Sequence, residues 1–311
     1  MKRGNIMILF VSGRCDIPAF FSRWFFNRLS AGYVDVRNPY DSHQISRIIL
    51  NQTNIDAIIF CTKNPIPMLN RLDEIPFPYL FHITITPYHQ DIEPYVANKK
   101  EIINAVKYIS KSIGKDRVVI RYDPILLNKT YTIDYHEKAF QKLCEQVSPF
   151  IHKIIISFVD MYKNTMENMK YMQLHSLSHK EMHELGKRLG NIAYTYGIKI
   201  ETCAESCDLR EYGIVQGRCI DKKEMENLIG YEIPFKKGVR SQCSCIETVD
   251  IGDYNCCHHS CKYCYANYDE KQVKERIQLH DSNSSVLLGH LTKKDRIIVR
   301  KEKSFRQITL L

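Results

Sequence analysis

The 311-residue sequence predicts an α/β protein: a TIM-like β/α barrel, partial or full, with a cysteine-rich C-terminal section. Three observations predict it. Short β-branched apolar runs alternate with longer helical patterns over the first two thirds of the chain. The runs are continuous rather than alternating, as in strands buried on both faces. Each run also ends in a polar cluster, which is how barrel strands furnish a shared mouth.

The first expected strand is Ile6–Ser12, followed by a helix over Pro18–Ala31. Pro18 sits in that helix's first turn, where its missing N–H costs nothing. Gln44–Leu50 reads as a short helix. Strands follow at Ala57–Thr62, Leu80–Thr86, Val118–Tyr122, Lys153–Phe158 and Ile198–Thr202, with helices over Lys99–Ile113, Ile133–Gln146 and His179–Tyr196. No low-complexity linker interrupts the pattern. Residues 1–202 therefore read as the barrel body, and 203–311 as an iron-sulfur-binding section with the final barrel strand and a basic tail.

A hydrophobic content of 44% with 25% charged residues is ordinary for a globular protein. The opening MKRGNIMILFVSGRCDIP has too short an apolar run for a signal peptide, and no stretch reaches the roughly 18–20 apolar residues that span a bilayer. A cytoplasmic protein without a membrane partner is expected. Of the net charge of +9, much lies after Leu291, where Lys293, Lys294, Arg296, Arg300, Lys301, Lys303 and Arg306 face only Asp295 and Glu302. A solvated terminal strand is the plainer reading of that tail; contact with a nucleic-acid backbone is the alternative.

Twelve cysteines in such a chain argue for metal rather than a disulfide framework. Nine fall between Cys203 and Cys264, while Cys15, Cys61 and Cys144 read as buried thiols. The most informative run is CHHSCKYC, which places Cys257, Cys261 and Cys264 in C-x3-C-x2-C spacing. Thiolates this close can hold three irons of a [4Fe-4S] cluster and leave the fourth open. The rival is a closed zinc site completed by His258, His259 or Cys256. Cys203, Cys219, Cys243 and Cys245 make a full shell for a second [4Fe-4S] cluster or for zinc, with buried free thiols as the plainer reading and Cys207 as a bystander.

The polar clusters at the strand ends include Ser, Thr, Asn and Asp, which turns and caps account for. Capping does not account for Lys63, Arg121 and Glu201, so these and Asp123 are the catalytic candidates. Asp160 and Glu205 join Asp123 and Glu201 as groups able to hold substrate hydroxyls or cations. His136 reads as a helix-surface residue.

The CHHSCKYC spacing resembles the cluster loop of the radical S-adenosylmethionine (SAM) superfamily. That resemblance implies SAM on the fourth iron, reductive cleavage to a 5′-deoxyadenosyl radical, and a reductant such as ferredoxin or flavodoxin. Nearly end to end, the chain also resembles the uncharacterised DUF1848 family, through SGRCDIPAFFSRWFFNRL, VRNPY, AIIFCTKNPIPML, FHITITPY, VIRYDPILLN, IISFVDMY, ETCAE, GRCID and CSCIETVDIGDYNCCHHSCKYCYAN. Cys15 stands where that family's opening motif would have Thr. A fainter similarity is to the spore photoproduct lyase branch of radical-SAM proteins, whose motif order is matched by DIP at Asp16–Pro18, TK at Thr62–Lys63, TIT at Thr84–Thr86 and RYDP at Arg121–Pro124.

Only the cluster strand is displaced, to the chain's end. The similarity thus implies a circularly permuted radical-SAM barrel in which Glu247–Asp250 lies beside Ile6–Ser12. It implies SAM contacts from Ser12, Arg14, Asp16, Thr62, Lys63, Thr84, Thr86, Arg121 and Tyr263; a Gly-Gly-Glu motif common in the superfamily is absent. The expected function is a radical-SAM-like enzyme that abstracts hydrogen from an unidentified substrate. The alternatives are a non-catalytic iron-sulfur or zinc protein and a nucleic-acid repair or modification enzyme.

Overall fold

The computed structural model of the chain describes residues 7–234 and 245–301. In chain order the elements are β1 (Ile8–Val11), α1 (Ile17–Phe20), α2 (Ser22–Ala31), β2 (Tyr33–Arg37), β3 (Gln44–Ile49), β4 (Ala57–Thr62) and β5 (Tyr79–Thr84). Then come α3 (Lys99–Ile113), β6 (Val118–Ile125), α4 (Ile133–Val147), β7 (Lys153–Phe158), α5 (Lys163–Asn168), α6 (His179–Thr195) and β8 (Lys199–Cys203). The last are β9 (Ile214–Gly217), α7 (Lys222–Ile229), β10 (Val249–Asp250), α8 (Glu270–Ile277) and β11 (Arg296–Val299).

One parallel sheet of eight strands runs β10-β1-β4-β5-β6-β7-β8-β9. From β1 to β9 every new strand joins the same edge. Right-handed crossovers then drop all their helices on one face, whereas a doubly wound sheet reverses its order and covers both. Side-chain alternation bears this out. Leu9, Ile58, Phe60, Phe81, Ile83, Ile120, Ile154 and Ile200 point into a large core with Trp24 and Phe25 of α2, Val106 of α3, Phe140 of α4 and Leu189 of α6. Their neighbours Ile8, Ala57, Ile59 and Leu80 point the other way, into a smaller cluster with Ile220 and with Met225 of α7. On β1, β4 and β5 that second face is apolar toward the strand N-termini, while on β7 and β8 it carries the charged Lys153 and Glu201.

β10 pairs in parallel with β1, Leu9 opposite Val249 and Phe10 opposite Asp250, the place expected for Glu247–Asp250. β4 and β7 keep their expected bounds, since both are continuous apolar runs covered on two sides. Gln44–Leu50 differs: Gln44–Ile49 is strand β3, in a second sheet ordered β11-β3-β2. Its buried Ile45 and Ile48 stand three apart and imitate a helical stripe. Antiparallel pairing with β2 and parallel pairing with the distant β11 decide the matter. β11 is the terminal strand expected in the basic tail, and all four of its residues are exposed; Lys303 and Arg306 lie outside the described residues. Among the described residues no helix is long and apolar enough to cross a membrane.

Candidate functional site

Cys257, Cys261 and Cys264 sit on the loop after β10, at the C-terminal ends of the strands. Three parts of the chain clamp that loop. Lys262 N–H donates to Ile92 O at 2.9 Å, and His259 Nδ1 lies 3.4 Å from Tyr95 O. From α5, Asn164 Nδ2 donates to Cys264 O at 2.7 Å and Thr165 Oγ1 to Tyr263 O at 3.2 Å. Asn267 Nδ2 closes the loop on itself by donating to Cys257 O at 2.8 Å. Rigid positioning of this kind is what a metal-binding loop needs.

The third clamp is Asp16, which caps α1. Its Oδ1 accepts from Ala19 N at 3.0 Å and Thr62 Oγ1 at 2.6 Å; its Oδ2 accepts from Lys63 N at 2.7 Å and lies 2.8 Å from His259 Nε2. One buried carboxylate thus ties the turn after β1, the end of β4 and the cysteine loop together. Both nitrogens of His259 face oxygen partners, Tyr95 O and Asp16 Oδ2. His258 stacks on Phe20 with ring centroids 4.8 Å apart, and Cys256 Sγ is 3.1 Å from Asp253 O.

A second buried carboxylate, Glu93, ties the loop to β4 and β5. Lys63 Nζ donates to Glu93 Oε1 at 2.7 Å, Thr86 and Tyr263 donate their hydroxyls to the same oxygen, and Lys99 pairs with the other. Burial works against the Glu93 carboxylate, yet the two ammonium groups win and hold it down to about 2. The partners divide unequally: Lys63 moves up, while Lys99, desolvated and repelled by Lys63, moves down. We assign the tighter pairing to Lys63, which is the less exposed of the two and lies 5.6 Å from the Tyr263 ring centroid.

Burial pushes the thiols of Cys257, Cys261 and Cys264 up, and neighbouring thiols add to the effect: Cys264 and Cys261 at Cys257, Cys264 at Cys261, and Cys15 at Cys264. The Lys63 ammonium opposes this at Cys261 and Cys264. A group that must be thiolate to bind metal is favoured by such a cation.

The other expected residues gather around the same opening. Ser12 Oγ donates to Asp250 Oδ1 at 2.7 Å, Gly13 N donates to Asp250 Oδ2 at 2.7 Å, and Arg14 Nη1 reaches Gly252 O at 3.4 Å. A Cβ on Gly252 would come within 2.0 Å of Ser12 Oγ, so only glycine allows this approach of β10 to β1. Burial raises the Asp250 carboxyl, against its donors. Thr84 stands beside Arg121 in register, and Arg121 pairs with Asp123. Glu205 accepts from Phe158 N at 2.8 Å and is pushed up to about 7 by burial, with Asp160 and Asp123 adding to the rise. His82, on the second face of β5, is fully buried with Nδ1 unpartnered; burial, then Arg121 and Lys153, keep it well below its usual range.

Three expectations change. Glu201 does not open to the mouth: it pairs with Lys199 and lies 3.5 Å from the wholly buried Lys153, which also binds Glu224 of α7 at 2.5 Å. His136 is buried rather than on a helix surface, between Tyr122 OH at 3.0 Å and Leu126 O at 2.9 Å, and burial lowers it to about 4. Cys203 and Cys219 form a disulfide, where a set of four metal-binding or free thiols was expected. Cys245 Sγ accepts from the N–H of Ile220, the residue after Cys219, at 3.4 Å, and Cys243 falls outside the described residues.

Sequence reasoning missed Glu93 and the role of His259. Glu93 sits in an irregular segment with no motif; the adjacent histidines advertised metal rather than a tether. Among the described residues no group of three or more His, Cys, Asp or Glu has the arrangement of a single-ion site. A cubane places each thiolate on a different iron, so its ligand sulfurs stand further apart than those around one zinc. Two buried thiols and a partly buried third on one clamped loop, with a cation beside two of them, fit the donor set of such a cluster.

The profile of a family described as a domain of unknown function, DUF1848, matches residues 8–266. No curated protein matches the chain. Among solved structures, similarity extends to the GH20 catalytic modules of the pneumococcal exo-beta-D-N-acetylglucosaminidase StrH, at 8% identity and a TM-score of 0.29 over 64% of this chain. It spans 54% of that protein's chain. A putative alpha-L-fucosidase from Bacteroides thetaiotaomicron aligns at 13% identity and a TM-score of 0.26, over 58% of this chain and 75% of its own. Similarity this low carries no inference about fold or activity.

Proposed function

Since the chain belongs to the DUF1848 family, whose description assigns no activity, we propose from the site itself that it is a radical-SAM-type enzyme. The observation that supports this reading most is the three-cysteine loop, held by Asp16 and Glu93 at the C-terminal ends of a sheet wound in one sense. In the finer reading the sheet is a permuted barrel, with β10 supplying the strand that would otherwise come first.

Cys257, Cys261 and Cys264 would hold three irons of a [4Fe-4S] cluster, with the fourth left to SAM. When bound, that pair supplies one-electron cleavage of a sulfonium carbon–sulfur bond and hence a carbon radical able to take hydrogen. The chain's own work is positioning and charge. Lys63 favours the thiolate forms of Cys261 and Cys264, and Glu93 holds Lys63 in place. Asp16 fixes the loop's height above the strands. Ser12 and Arg14, on the turn braced by Asp250, and Thr84, Thr86 and Arg121 present polar groups to a methionyl or ribose moiety. Asp123 on β6 and Glu205, two residues past β8, face the opening; burial pushes Glu205 up to about 7, which suits it to exchange a proton with a substrate group. An electron donor such as ferredoxin or flavodoxin would reduce the centre.

The test is anaerobic reconstitution with iron and sulfide, then SAM and dithionite, with chromatography of the products. 5′-Deoxyadenosine should form with the native chain and be absent with Cys261→Ala. Its absence from native protein carrying about four irons would favour a non-catalytic cluster.

A further inference from the structure

The second cysteine set lies where the two edges of the large sheet come together. Cys203 ends β8, Cys219 follows β9, and Cys245 precedes β10. Cys203 and Cys219 are bonded across a separation of 16 residues, with their Cα atoms 6.0 Å apart. Ile220 N–H donates to Cys245 Sγ at 3.4 Å, and Ile246 N–H donates to Ile220 O at 3.2 Å. Cys219 packs against the apolar cluster that holds Cys245, Ile220 and Ile246. A closed barrel carries a ladder of backbone hydrogen bonds at every strand junction. Between β9 and β10 the described residues show that one backbone bond rather than a ladder, with the Cys245 sulfur beside it.

We propose that Cys203, Cys219 and Cys245 form a thiolate metal centre that staples this seam, and that the disulfide is its oxidised, metal-free form. Two electrons and two protons from a thiol reductant convert the disulfide to two thiols. Metal binding then releases thiol protons to solvent. An all-sulfur donor set selects zinc or an iron-sulfur cluster over hard cations. While the sulfur–sulfur bond persists, two of the three donors are unavailable, in keeping with the lack of a single-ion arrangement among the described residues. Cys203 and Cys219 lie at the ends of neighbouring paired strands, whereas Cys245 precedes the strand at the sheet's other edge, so a metal that joins Cys245 to either of them fixes the closure.

This centre is independent of the loop at Cys257–Cys264, and the experiment keeps the two apart. The full chain with Cys257, Cys261 and Cys264 all changed to Ala is purified anaerobically under a thiol reductant, and its zinc and iron are counted. About one zinc, or about four irons with thiolate-to-iron absorption, should remain per chain. Cys203→Ser or Cys245→Ser on that background should lower the content by roughly tenfold or more. A metal-free triple variant with an intact Cys203–Cys219 crosslink overturns the proposal, as does metal that survives both serine changes. Should the triple variant fail to fold, Cys203→Ser/Cys219→Ser in the otherwise native chain decides: the metal count must fall by one centre, and an unchanged count contradicts the proposal.

Discussion

At the N-terminal end of the sheet's second face, Lys153 is sealed between Glu201 and Glu224, with none of its side chain exposed. At the C-terminal end, Lys63 reaches an equally buried carboxylate, but Glu93 also takes the hydroxyl of Tyr263 and so grips the cysteine loop. Both are buried ion pairs. The first closes on itself and joins β7, β8 and α7; the second ends on a loop whose thiols answer to its charge. What separates the two ion pairs is what else the carboxylate holds: Lys199 of its own strand at Glu201, the Tyr263 hydroxyl of the cysteine loop at Glu93.

The comparison breaks most visibly at Lys153. Lys153→Met leaves the buried Glu201 and the partly exposed Glu224 short of a cation and should cost about 3 kcal/mol. Iron loading of the surviving folded protein should be unchanged, as read by urea unfolding alongside metal counts. Glu93→Gln comes next: about 2–3 kcal/mol is lost, and here iron retention falls as well, because Lys63 loses its anchor. The pH dependence follows from the lowered Glu93 pKa. Its contribution is fully present above the unfolded value of about 4.3 and is lost as pH falls toward about 2, so an acid titration of native protein and variant should converge there.

Asp16→Asn is smaller in stability, about 1–2 kcal/mol, since an amide oxygen still accepts some of the four bonds. It should still shorten the lifetime of bound iron severalfold by freeing His259, measured as the rate of iron loss to a chelator. Smallest is Glu205→Gln. The raised carboxyl binds its proton more tightly in the folded chain, so native stability declines as pH rises from about 4.3 through about 7. The variant lacks that decline and should gain about 1 kcal/mol on the native chain at pH 8, after allowance for solvent screening at a partly exposed group.

Much of this was legible in the residues. AIIFCT and KIIISF read as strands because covering on two sides demands unbroken apolar runs, and β10 found its neighbour because one displaced motif had a single place to go. Local period failed where partners came from far away. β3 imitates a helix until β2 and β11 bind its edges. Glu201 looked like a mouth residue until Lys153, far off in sequence, claimed it. Of the two cysteine sets, the contiguous one is legible as a motif by its spacing; the dispersed one is brought together only by the fold, Cys203 and Cys219 by neighbouring strands and Cys245 from the strand at the other edge.

Paramagnetic resonance of the anaerobically reconstituted, dithionite-reduced chain, recorded with and without SAM, bears most directly on the central claim. The account predicts a cluster signal that changes on adding SAM and is missing from Cys264→Ala. A loop that instead holds one zinc with four protein ligands, giving no signal, would contradict it.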